Sequence, residues 1–469
     1  MYLLENFISS ANNILWSYVL IILLVGLGLW FSLRTRFVQI RMLGEMFKLL
    51  KDGIGVNHGQ QAISSFQAFC VSTASRVGVG NIAGIAIAIA SGGPGAIFWM
   101  WAIALLGAAT GFVESTLAQI YKVPTQGNGF RGGPAYYIKN ALGSTFFATV
   151  FAILISVTFG LIFNSVQANT ITVSLHAAFG VDRLTMGIIL ALFTAFAVFG
   201  GIHRIAKIAE WMVPIMAGIY LLTALIITLL NLSLLPGVLQ LIISSAFNVH
   251  AAVGGGLGAA IMTGVKRGLF SNEAGMGSVP NAAATAFVSH PVKQGLVQAL
   301  GVFVDTLLVC SATAFIILLS TSYHTTSLTG IELAQQSLAF HIGPWAPSLL
   351  AVLICLFAFS SIVGNYYYGE INIAFLNSNP LILIIFRICV VSMVLFGSIA
   401  KVALVWNMAD LFMALMALTN LIAISQLAKY SYIALDDYVK QKKAGIESPT
   451  FDSSILPTQK GIYAWDKDK

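Results

Sequence analysis

Long stretches without a single charged residue recur along the whole chain, and they constrain its fold more than any other feature. Examples are residues 14–33, 94–113, 140–181, 211–265 and 333–369. A helix needs roughly 20 apolar residues to cross the hydrocarbon core of a bilayer. Only 9% of the residues are charged, whereas about 25% are charged in an average soluble domain. The sequence therefore predicts an all-α polytopic membrane protein.

The uncharged runs and their boundaries predict eleven spans. Because the N-terminus lacks a basic segment and a small-residue cleavage site, its apolar part is predicted to be a retained span and not a signal peptide. The polar residues after about Lys429 are predicted to form a short, mobile cytosolic tail. The eleven predicted centres lie near residues 23, 78, 107, 160, 192, 220, 270, 308, 358, 390 and 416.

Basic residues collect in alternate loops, which indicates the orientation. Segments 232–250 and 320–345 contain no Lys or Arg, and Lys and Arg mark cytoplasmic loops. The N-terminus is thus predicted outside and the C-terminus inside, with Lys401 as an exception in an outer turn. The net charge of +7 follows from these loops and does not indicate nucleic-acid binding. The basic residues are Arg34, Arg36, Arg41, Lys48 and Lys51, then Lys122, Arg131 and Lys139, then His203, Arg204 and Lys207, and finally Lys440, Lys442 and Lys443.

The segment "RTRFVQIRMLGEMFKLLKDG" (34–53) interleaves apolar and basic residues. This pattern is typical of a helix that lies in the cytoplasmic membrane interface. A solvated linker remains the alternative.

The stretch "SRVGVGNIAGIAIA" (75–88) places Gly78, Gly80 and Gly84 inside an apolar run. A dinucleotide-binding loop would need a preceding strand and an acidic residue about 20 positions later, but the next acid is Glu114, beyond a complete span. Two interpretations remain. The glycines permit close helix packing, or they interrupt a membrane helix and bare backbone groups to a ligand.

A second interrupted segment, "KRGLFSNEAGMGSVPNAAATA" (266–286), favours the interrupted helix. It combines Gly275, Gly277 and Pro280 with polar Ser271 and Glu273. If the first span is set aside, ten spans divide into two sets of five, and each set begins with a broken segment. This arrangement indicates an inverted-repeat secondary transporter, with an extra span and interfacial segment in 1–62, repeats in 63–232 and 233–430, and a tail in 431–469.

Such breaks indicate the chemical class of the substrate and of the coupling ion. The N-terminus of a half-helix favours a carboxylate, and bared carbonyls favour Na⁺. An amino acid together with sodium is therefore the natural expectation, although proton coupling or a differently charged substrate would also fit the glycines.

Several long motifs resemble the alanine or glycine:cation symporter family of prokaryotic amino-acid carriers. The resemblance spans roughly residues 60–430, and its motifs are "GVGNIAGIAIAIASGGPGAIFWMWAIALLGAATGFVES", "FRGGPAYYI", "RGLFSNEAGMGSVPNAAATA", "FVDTLLVCSATAFIIL", "FAFSSIVGNYYYGE" and "VWNMADLFMALMALTNLIAISQLAK". It implies a LeuT-type 5+5 core in the prokaryotic plasma membrane. The implied activity is Na⁺- or H⁺-coupled uptake of a small neutral amino acid of the alanine or glycine class, by a protein that functions as a monomer and needs no cofactor. Some similar carriers prefer glutamine.

The resemblance also implies site residues. The Na⁺ site would combine first-break carbonyls, including that of Val77, with Ser360 and Ser361. The substrate pocket would comprise Gly78, Val79, Gly80, Asn81, Gln167, Phe270, Asn272 and Asn365.

Two positions depart from the family pattern. Val79 stands where Thr or Ser is usual, and Asn365 stands where Trp is usual. Exchanging Trp for Asn replaces a large apolar wall by a small polar one. We therefore expect a roomier or more polar pocket than an alanine carrier needs.

Individual polar residues in the spans carry further expectations. Asn164 and Gln167 share one helix face, where an amide either binds substrate or bonds between helices. Glu114, Asp305 and Glu370 are expected to pair with Lys or Arg or to cap helices, whereas Glu273 is expected to anchor the second break, with a proton relay as the alternative. Arg76 either pairs with an acid or serves a cytoplasmic gate. Asp410 is a further carboxylate near a span end.

The sequence lacks the features that are typical of enzymes and channels. The histidines are scattered singly, and the four cysteines, Cys70, Cys310, Cys355 and Cys389, show no metal-ligand spacing and are expected to be buried packing residues. An enzyme would need a catalytic constellation, and a channel would need filter loops or charge rings. A substrate sensor on the same scaffold remains an alternative.

Overall fold

The computed structural model describes residues 2–54, 63–125, 129–199, 201–247 and 256–465. At residues 2–6 and 201–208 it describes the backbone only. His203, Arg204 and Lys207 of the predicted basic loop thus lie outside the described side chains. Almost all of the described chain is helical. The two short strands, Val123–Pro124 and Phe130–Arg131, pair antiparallel beside the end of one long helix.

The helices follow one another with short connections, and several long ones contain a π-helical turn. In the first half their bounds are Tyr2–Ile14, Leu15–Leu20 (π), Ile21–Arg34, Val38–Arg41, Leu43–Asp52, Ser65–Arg76, Gly80–Gly84 (π), Ile85–Gly92, Gly95–Ile120, Pro134–Tyr137, Ile138–Leu142 (π), Thr145–Val157, Thr158–Phe163 (π), Asn164–Phe179, Arg183–Val198 and Gly201–Leu230. In the second half they are Leu235–Ala246, Gly256–Asn272, Val279–Ala283, Pro291–Phe303, Val304–Cys310 (π), Ser311–Leu318, Ser322–Thr325, Gly330–Ile342, Ala346–Leu376, Pro380–Ile399, Val402–Lys443 and the 3-10 turn Ser453–Ile455.

Eight helices in the described residues are long and apolar enough to cross a membrane, or nine if one bent pair is counted as a single span. They coincide with nine of the eleven predicted centres. The other two centres, near 192 and 270, fall on Arg183–Val198, an apolar helix of 16 residues, and on Gly256–Asn272. The polytopic all-α prediction is confirmed at this coarser level.

The core helices pack into two groups. The first helix group consists of Gly95–Ile120, Gly256–Asn272, Val279–Ala283 and Pro291–Leu318, which pack mainly on one another. The second helix group consists of Thr145–Phe179, Arg183–Val198, Ala346–Leu376 and Pro380–Ile399. Helix Ser65–Arg76 and the last helix, Val402–Lys443, contact both groups. The broken segments therefore lie where the two groups meet.

The extra N-terminal span packs on the first helix group. Gly28 lies against Leu106, so closely that a β-carbon at residue 28 would stand 3.0 Å from the Leu106 Cβ. Near the other end, the Trp16 indole donates to the Asp410 carbonyl of the last helix. The segment that follows forms helices Val38–Arg41 and Leu43–Asp52, as the amphipathic pattern predicts, and the second of them packs on Pro291–Phe303.

The prediction of a mobile tail is wrong. The last helix continues to Lys443, and residues 446–465 fold back onto the same end of the molecule, where Phe451, Leu456 and Ile462 are buried. The polar composition suggested mobility, but these three apolar side chains anchor the segment. We call this end, which carries Lys122, Ser289 and Lys443, the tail end.

The cysteines are free, and their burial differs from the prediction. Cys70 and Cys310 are buried and Cys355 is half-buried, but Cys389 is exposed. Cys389 lies on Pro380–Ile399, whose outward face also carries Ile384, Ile385 and Ile388. An apolar outward face is what a lipid-facing helix presents, and the uncharged run around Cys389 could not distinguish this face from a buried one.

Candidate substrate and cation site

The first break lies between Arg76 and Gly80, where the two half-helices meet at an angle of 51°. The Gly78 N–H bonds the Asn81 side-chain oxygen (3.0 Å), and the Val79 N–H bonds Gln167 Oε1 (3.2 Å). A β-carbon at Gly78 would overlap the Ser361 hydroxyl, and one at Gly80 would stand 2.8 Å from the Phe270 ring. The glycines thus serve both close packing and the break.

The second break separates Asn272 from Val279. Glu273, Gly275 and Gly277 all adopt positive φ values, of 59°, 91° and 81°. Glycine adopts this conformation freely, but a residue with a side chain pays for it. Glu273 is held there by Ser75 (2.8 Å) and Ser278 (2.5 Å), whose hydroxyls donate to its carboxylate. Its predicted role as an anchor of the unwound backbone is consistent with these bonds.

Several predicted substrate residues come together at the first break. Gln167 touches Val79, and Phe270 lies against Gly80. The Phe270 ring also stacks between two further rings, with centroids 4.6 Å from Phe163 and 4.8 Å from Trp406. Phe163 and Trp406 were missed by the sequence analysis, because aromatic residues are common in every span and nothing local marks these two.

Asn272 and Asn365 lie farther from the Gly78–Gly80 turn. Asn272 caps its own break through the Ala274 N–H and donates to Thr306 (3.2 Å). Asn365 Oδ1 lies 2.7 Å from the Ser75 hydroxyl, which gives its single proton to Glu273, and the buried Nδ2 of Asn365 has no partner among the described residues. A buried amide N–H without a partner costs free energy, and it marks a place where a polar ligand would be favoured.

The two predicted cation-binding serines occupy different positions. Ser361 donates to the Ala74 carbonyl of the first half-helix (2.9 Å) and to Phe357 of its own helix. Ser360 bonds its own helix at Phe357 (2.8 Å) and contacts the Met216 sulfur. Val77 is buried beside them, at the C-terminal end of the half-helix. Hydroxyl and carbonyl oxygens are ligands that suit a hard cation such as Na⁺.

Asp305 is the most informative residue that the sequence analysis misjudged. Its buried carboxylate accepts bonds from Asn81 of the first break (2.6 Å), from Ser271 beside the second break (2.8 Å) and from Thr306 (3.0 Å). Of its two expected roles, ion pairing and helix capping, neither is seen: no Lys or Arg of the described chain lies within ion-pair distance, and its donors are side chains rather than the N–H groups of a helix end. Asp305 thus connects both breaks without an ion-pair partner among the described residues.

Of the two roles expected for Glu114, ion pairing and helix capping, no ion pair is formed within the described residues. It accepts bonds from the Gly275 N–H (3.0 Å) and from Asn420 (2.8 Å), and Asn420 in turn accepts from the Tyr137 hydroxyl. Glu114 therefore fixes the second break to the last helix. Glu370 behaves as predicted, because it pairs with Arg387 at 2.9 Å.

Two cations and one acid meet beyond the aromatic stack. Asp410 pairs with Arg267 and lies 3.5 Å from Lys266. The Arg267 guanidinium also lies 4.7 Å from the Trp406 ring centroid. Arg76, in contrast, donates to the Gln298 carbonyl (3.3 Å) and makes no ion pair within the described residues.

The site offers a set of oxygen ligands rather than a transition-metal centre. Among the described residues no three His, Cys, Asp or Glu side chains come together. The groups gathered at the breaks are backbone amides and carbonyls, hydroxyls, side-chain amides and one carboxylate. Such groups bind a zwitterion and a hard monovalent cation well.

Comparison with known proteins agrees with this chemistry. A relative from Bacillus subtilis (strain 168), called probable sodium/glutamine symporter GlnT, is 54% identical over 99% of this chain and 96% of its own length. The amino-acid carrier protein AlsT of the same organism is 51% identical over 99% of both chains. The sodium/alanine symporter AgcS of Methanococcus maripaludis is 37% identical over 89% of this chain and 94% of its own.

A family model described as the sodium:alanine symporter family matches residues 1–453. It is a family of transporters and not of enzymes, and the family resemblance identified from the sequence motifs is confirmed. The family, GlnT and AgcS are named as sodium symporters of an amino acid, and AlsT is named as an amino-acid carrier. The chain belongs to the sodium:alanine symporter family.

Proposed function

We propose that this protein imports a small neutral amino acid by symport with Na⁺, through alternating access of a site between its two helix groups. The observation that carries the proposal is the meeting of two broken helices at Gln167, Phe270 and Asp305. Broken membrane helices expose backbone groups only where these line a cavity or a site. The substrate carboxylate would lie at the first break, near the start of the half-helix at Gly80, where the helix dipole is positive.

The coupling ion would bind on the opposite side of the same turn. Its proposed ligands are the Val77 carbonyl and the hydroxyls of Ser360 and Ser361. The contact between Ser361 and Ala74 supports this arrangement, because it brings a hydroxyl of the second helix group to the end of the first half-helix. A bound cation would also lie in the region of the Asp305 carboxyl group, which accepts from Asn81 and has no ion-pair partner among the described residues.

We further propose the finer architecture that the sequence suggested. The ten core spans would form a LeuT-type inverted repeat, with boundaries at 63–232 and 233–430, and the tail end would face the cytoplasm. The two helix groups support this assignment, because each draws helices from both halves of the chain. Eleven spans result if Arg183–Val198 and the broken segment that begins with Gly256–Asn272 are counted with the nine.

The substrate within this class is alanine or glutamine, and one observation favours glutamine. The buried Nδ2 of Asn365 lacks a partner, next to the carboxylate-bound Ser75. A side-chain carboxamide would accept from Asn365, whereas the methyl group of alanine would leave it unpaired. The name of the 54% identical relative points the same way.

Transport assays with purified protein in proteoliposomes test the proposal. Labelled alanine, glycine and glutamine are offered with an inward Na⁺ gradient, or with a proton gradient alone. We expect Na⁺-dependent accumulation, with glutamine preferred over alanine. Accumulation with a proton gradient alone would show that H⁺, and not Na⁺, is the coupling ion. Binding without transport would indicate a sensor.

A further inference from the structure

The segment after the last helix is an ordered element of the tail end. Residues 446–465 run from the end of Val402–Lys443 across the ends of several core helices. Phe451 stacks edge-on against His290 and Trp465, with ring centroids 5.3 and 5.1 Å apart. Buried Ile462 and Leu456 complete its apolar side.

The segment is bonded to the first helix group at several points. The Phe451 N–H donates to the Ser289 carbonyl (2.9 Å), and the Ser289 hydroxyl donates to the Pro449 carbonyl (2.7 Å). Lys293 donates to Ser448 at 2.7 Å. These bonds attach the segment to the start of Pro291–Leu318.

The far end of the segment reaches a second helix of the same group. The Trp465 indole donates to the Gln119 carbonyl (2.8 Å), and its ring centroid lies 4.9 Å from the Lys122 amine. Lys122 is buried between Trp465 and Phe130 and donates to the Ala286 carbonyl. Trp465 thus covers a buried cation at the end of Gly95–Ile120.

Between these attachments the segment contacts a short helix that lies beside the second helix group. Gly461 lies so close to Asn140 that a β-carbon at 461 would stand 2.9 Å from the Asn140 carbonyl carbon. Asn140 belongs to the π-helical Ile138–Leu142, which leads into Thr145–Phe179. The neighbouring Lys139 and Tyr136 pack on Phe375 of Ala346–Leu376, with Lys139 5.4 Å from the ring centroid. One short segment therefore connects the first helix group to a helix that packs on the second, at a single end of the molecule.

The segment also borders an open groove of about 560 Å³ at the tail end. Glu447 and Ser448 form one wall, and Ser65, the first residue of the first half-helix, lies on another. A route from the breaks to this face would emerge beside that half-helix. The segment is therefore placed at the mouth of such a route.

We propose that residues 446–465 form a strap that holds the two helix groups together at the tail end and must release its Asn140 or Trp465 contact before that end opens. The inference rests on the proposed alternating access, since it assigns the strap to one of the two access states. Relative movement of the groups would separate Asn140 from Gln119, and the strap spans both. The fraction of molecules in which the strap keeps both contacts then controls how often the site faces the cytoplasm.

The test measures opening directly. Cys355 and Cys389 are replaced by Ser, and spin labels are attached to Lys48→Cys and Ser378→Cys. Both positions are exposed, the first on the helix packed against Pro291–Phe303 and the second after Ala346–Leu376. Distance distributions are recorded by double electron–electron resonance, without substrate, for the full chain, for deletion of residues 446–469 and for Trp465→Ala. Tyr463→Ala, at an exposed residue of the strap, is the matched control.

We expect one short distance in the full chain and in Tyr463→Ala. Deletion and Trp465→Ala should increase the population of the longer distance by about tenfold, because both remove strap contacts that stabilise only the closed state of the tail end. Distributions that are unchanged in both variants would overturn the strap. Because this readout needs neither Na⁺ nor substrate, a failure of the proposed symport would show separately, as absent uptake by the full chain.

Discussion

Asn81 of the first break donates to the Asp305 carboxylate across 2.6 Å, while the other oxygen of Asp305 holds Ser271 at the second break. Two interrupted helices from distant parts of the chain are therefore joined through one buried acid. We expect a change at one break to reach the other through Asp305. On this proposal, a cation near Asp305 and an amino acid at the first break would bind cooperatively.

Replacing Asp305 by Asn tests this connection. The variant keeps the size of the side chain but replaces one carboxylate oxygen by an amide N–H group, which faces the Ser271 and Thr306 hydroxyls when the remaining oxygen accepts from Asn81. A hydrogen bond to a charged group contributes about 1.5–3 kcal/mol, so we expect uptake kcat/KM to fall by about 10- to 100-fold. Asp182→Asn, at an exposed helix cap, is the control. Wild-type uptake and Na⁺ dependence in Asp305→Asn would contradict the role.

Asn365→Trp tests the substrate preference. A Trp in this buried position would fill the space beside Ser75 and remove the unpaired amide. We expect glutamine uptake to fall relative to alanine uptake by about tenfold or more, since a site that bonds a polar substrate group discriminates strongly against its loss. Competition between labelled substrates measures the ratio, with exposed Asn377→Trp as the control. An unchanged ratio would rule out Asn365 as a determinant of specificity.

Ser361→Ala should weaken Na⁺ activation more than Ser360→Ala. Both variants lose a proposed ligand, but only Ser361 also connects the second helix group to Ala74. We expect the half-saturating Na⁺ concentration to rise by about tenfold for Ser361→Ala, equivalent to about 1.4 kcal/mol. Ser392→Ala, on an exposed helix face, should leave it unchanged. A normal Na⁺ response in Ser361→Ala would remove this residue from the site.

The ion pairs differ in their expected contribution to stability. Asp410→Asn leaves the buried Arg267 without its acid, which costs about 3–5 kcal/mol when a buried pair is broken. Glu370→Gln breaks the pair with Arg387, whose two side chains are each 21% exposed, and should cost about 1 kcal/mol or less. Thermal unfolding in detergent compares them. Equal losses of stability would contradict the assigned burial.

The sequence was most informative where local backbone chemistry determines structure. Glycines and polar residues inside apolar runs predicted both breaks, and the structure confirms them at Gly78 and at Glu273–Gly277. Gln167 was found because an amide inside a span is costly unless it has a partner. These features depend on a few adjacent residues, which is why they could be identified from one chain.

Features that depend on contacts between distant segments could not be predicted. Asp305 was expected to find a basic partner, but its partners are Asn81 and Ser271, separated from it by 224 and 34 positions. The tail was expected to be mobile because its composition is polar, but Phe451 and Trp465 find apolar contacts across the tail end. Neither pairing leaves a periodic pattern in the sequence.

The most direct test of the central claim is the steady-state accumulation of labelled glutamine and alanine in proteoliposomes as the Na⁺ gradient is varied. Sodium-driven symport predicts that the internal substrate concentration exceeds the external one only with an inward Na⁺ gradient, and that a sodium ionophore abolishes the difference. Equal internal and external concentrations at every Na⁺ gradient would contradict it.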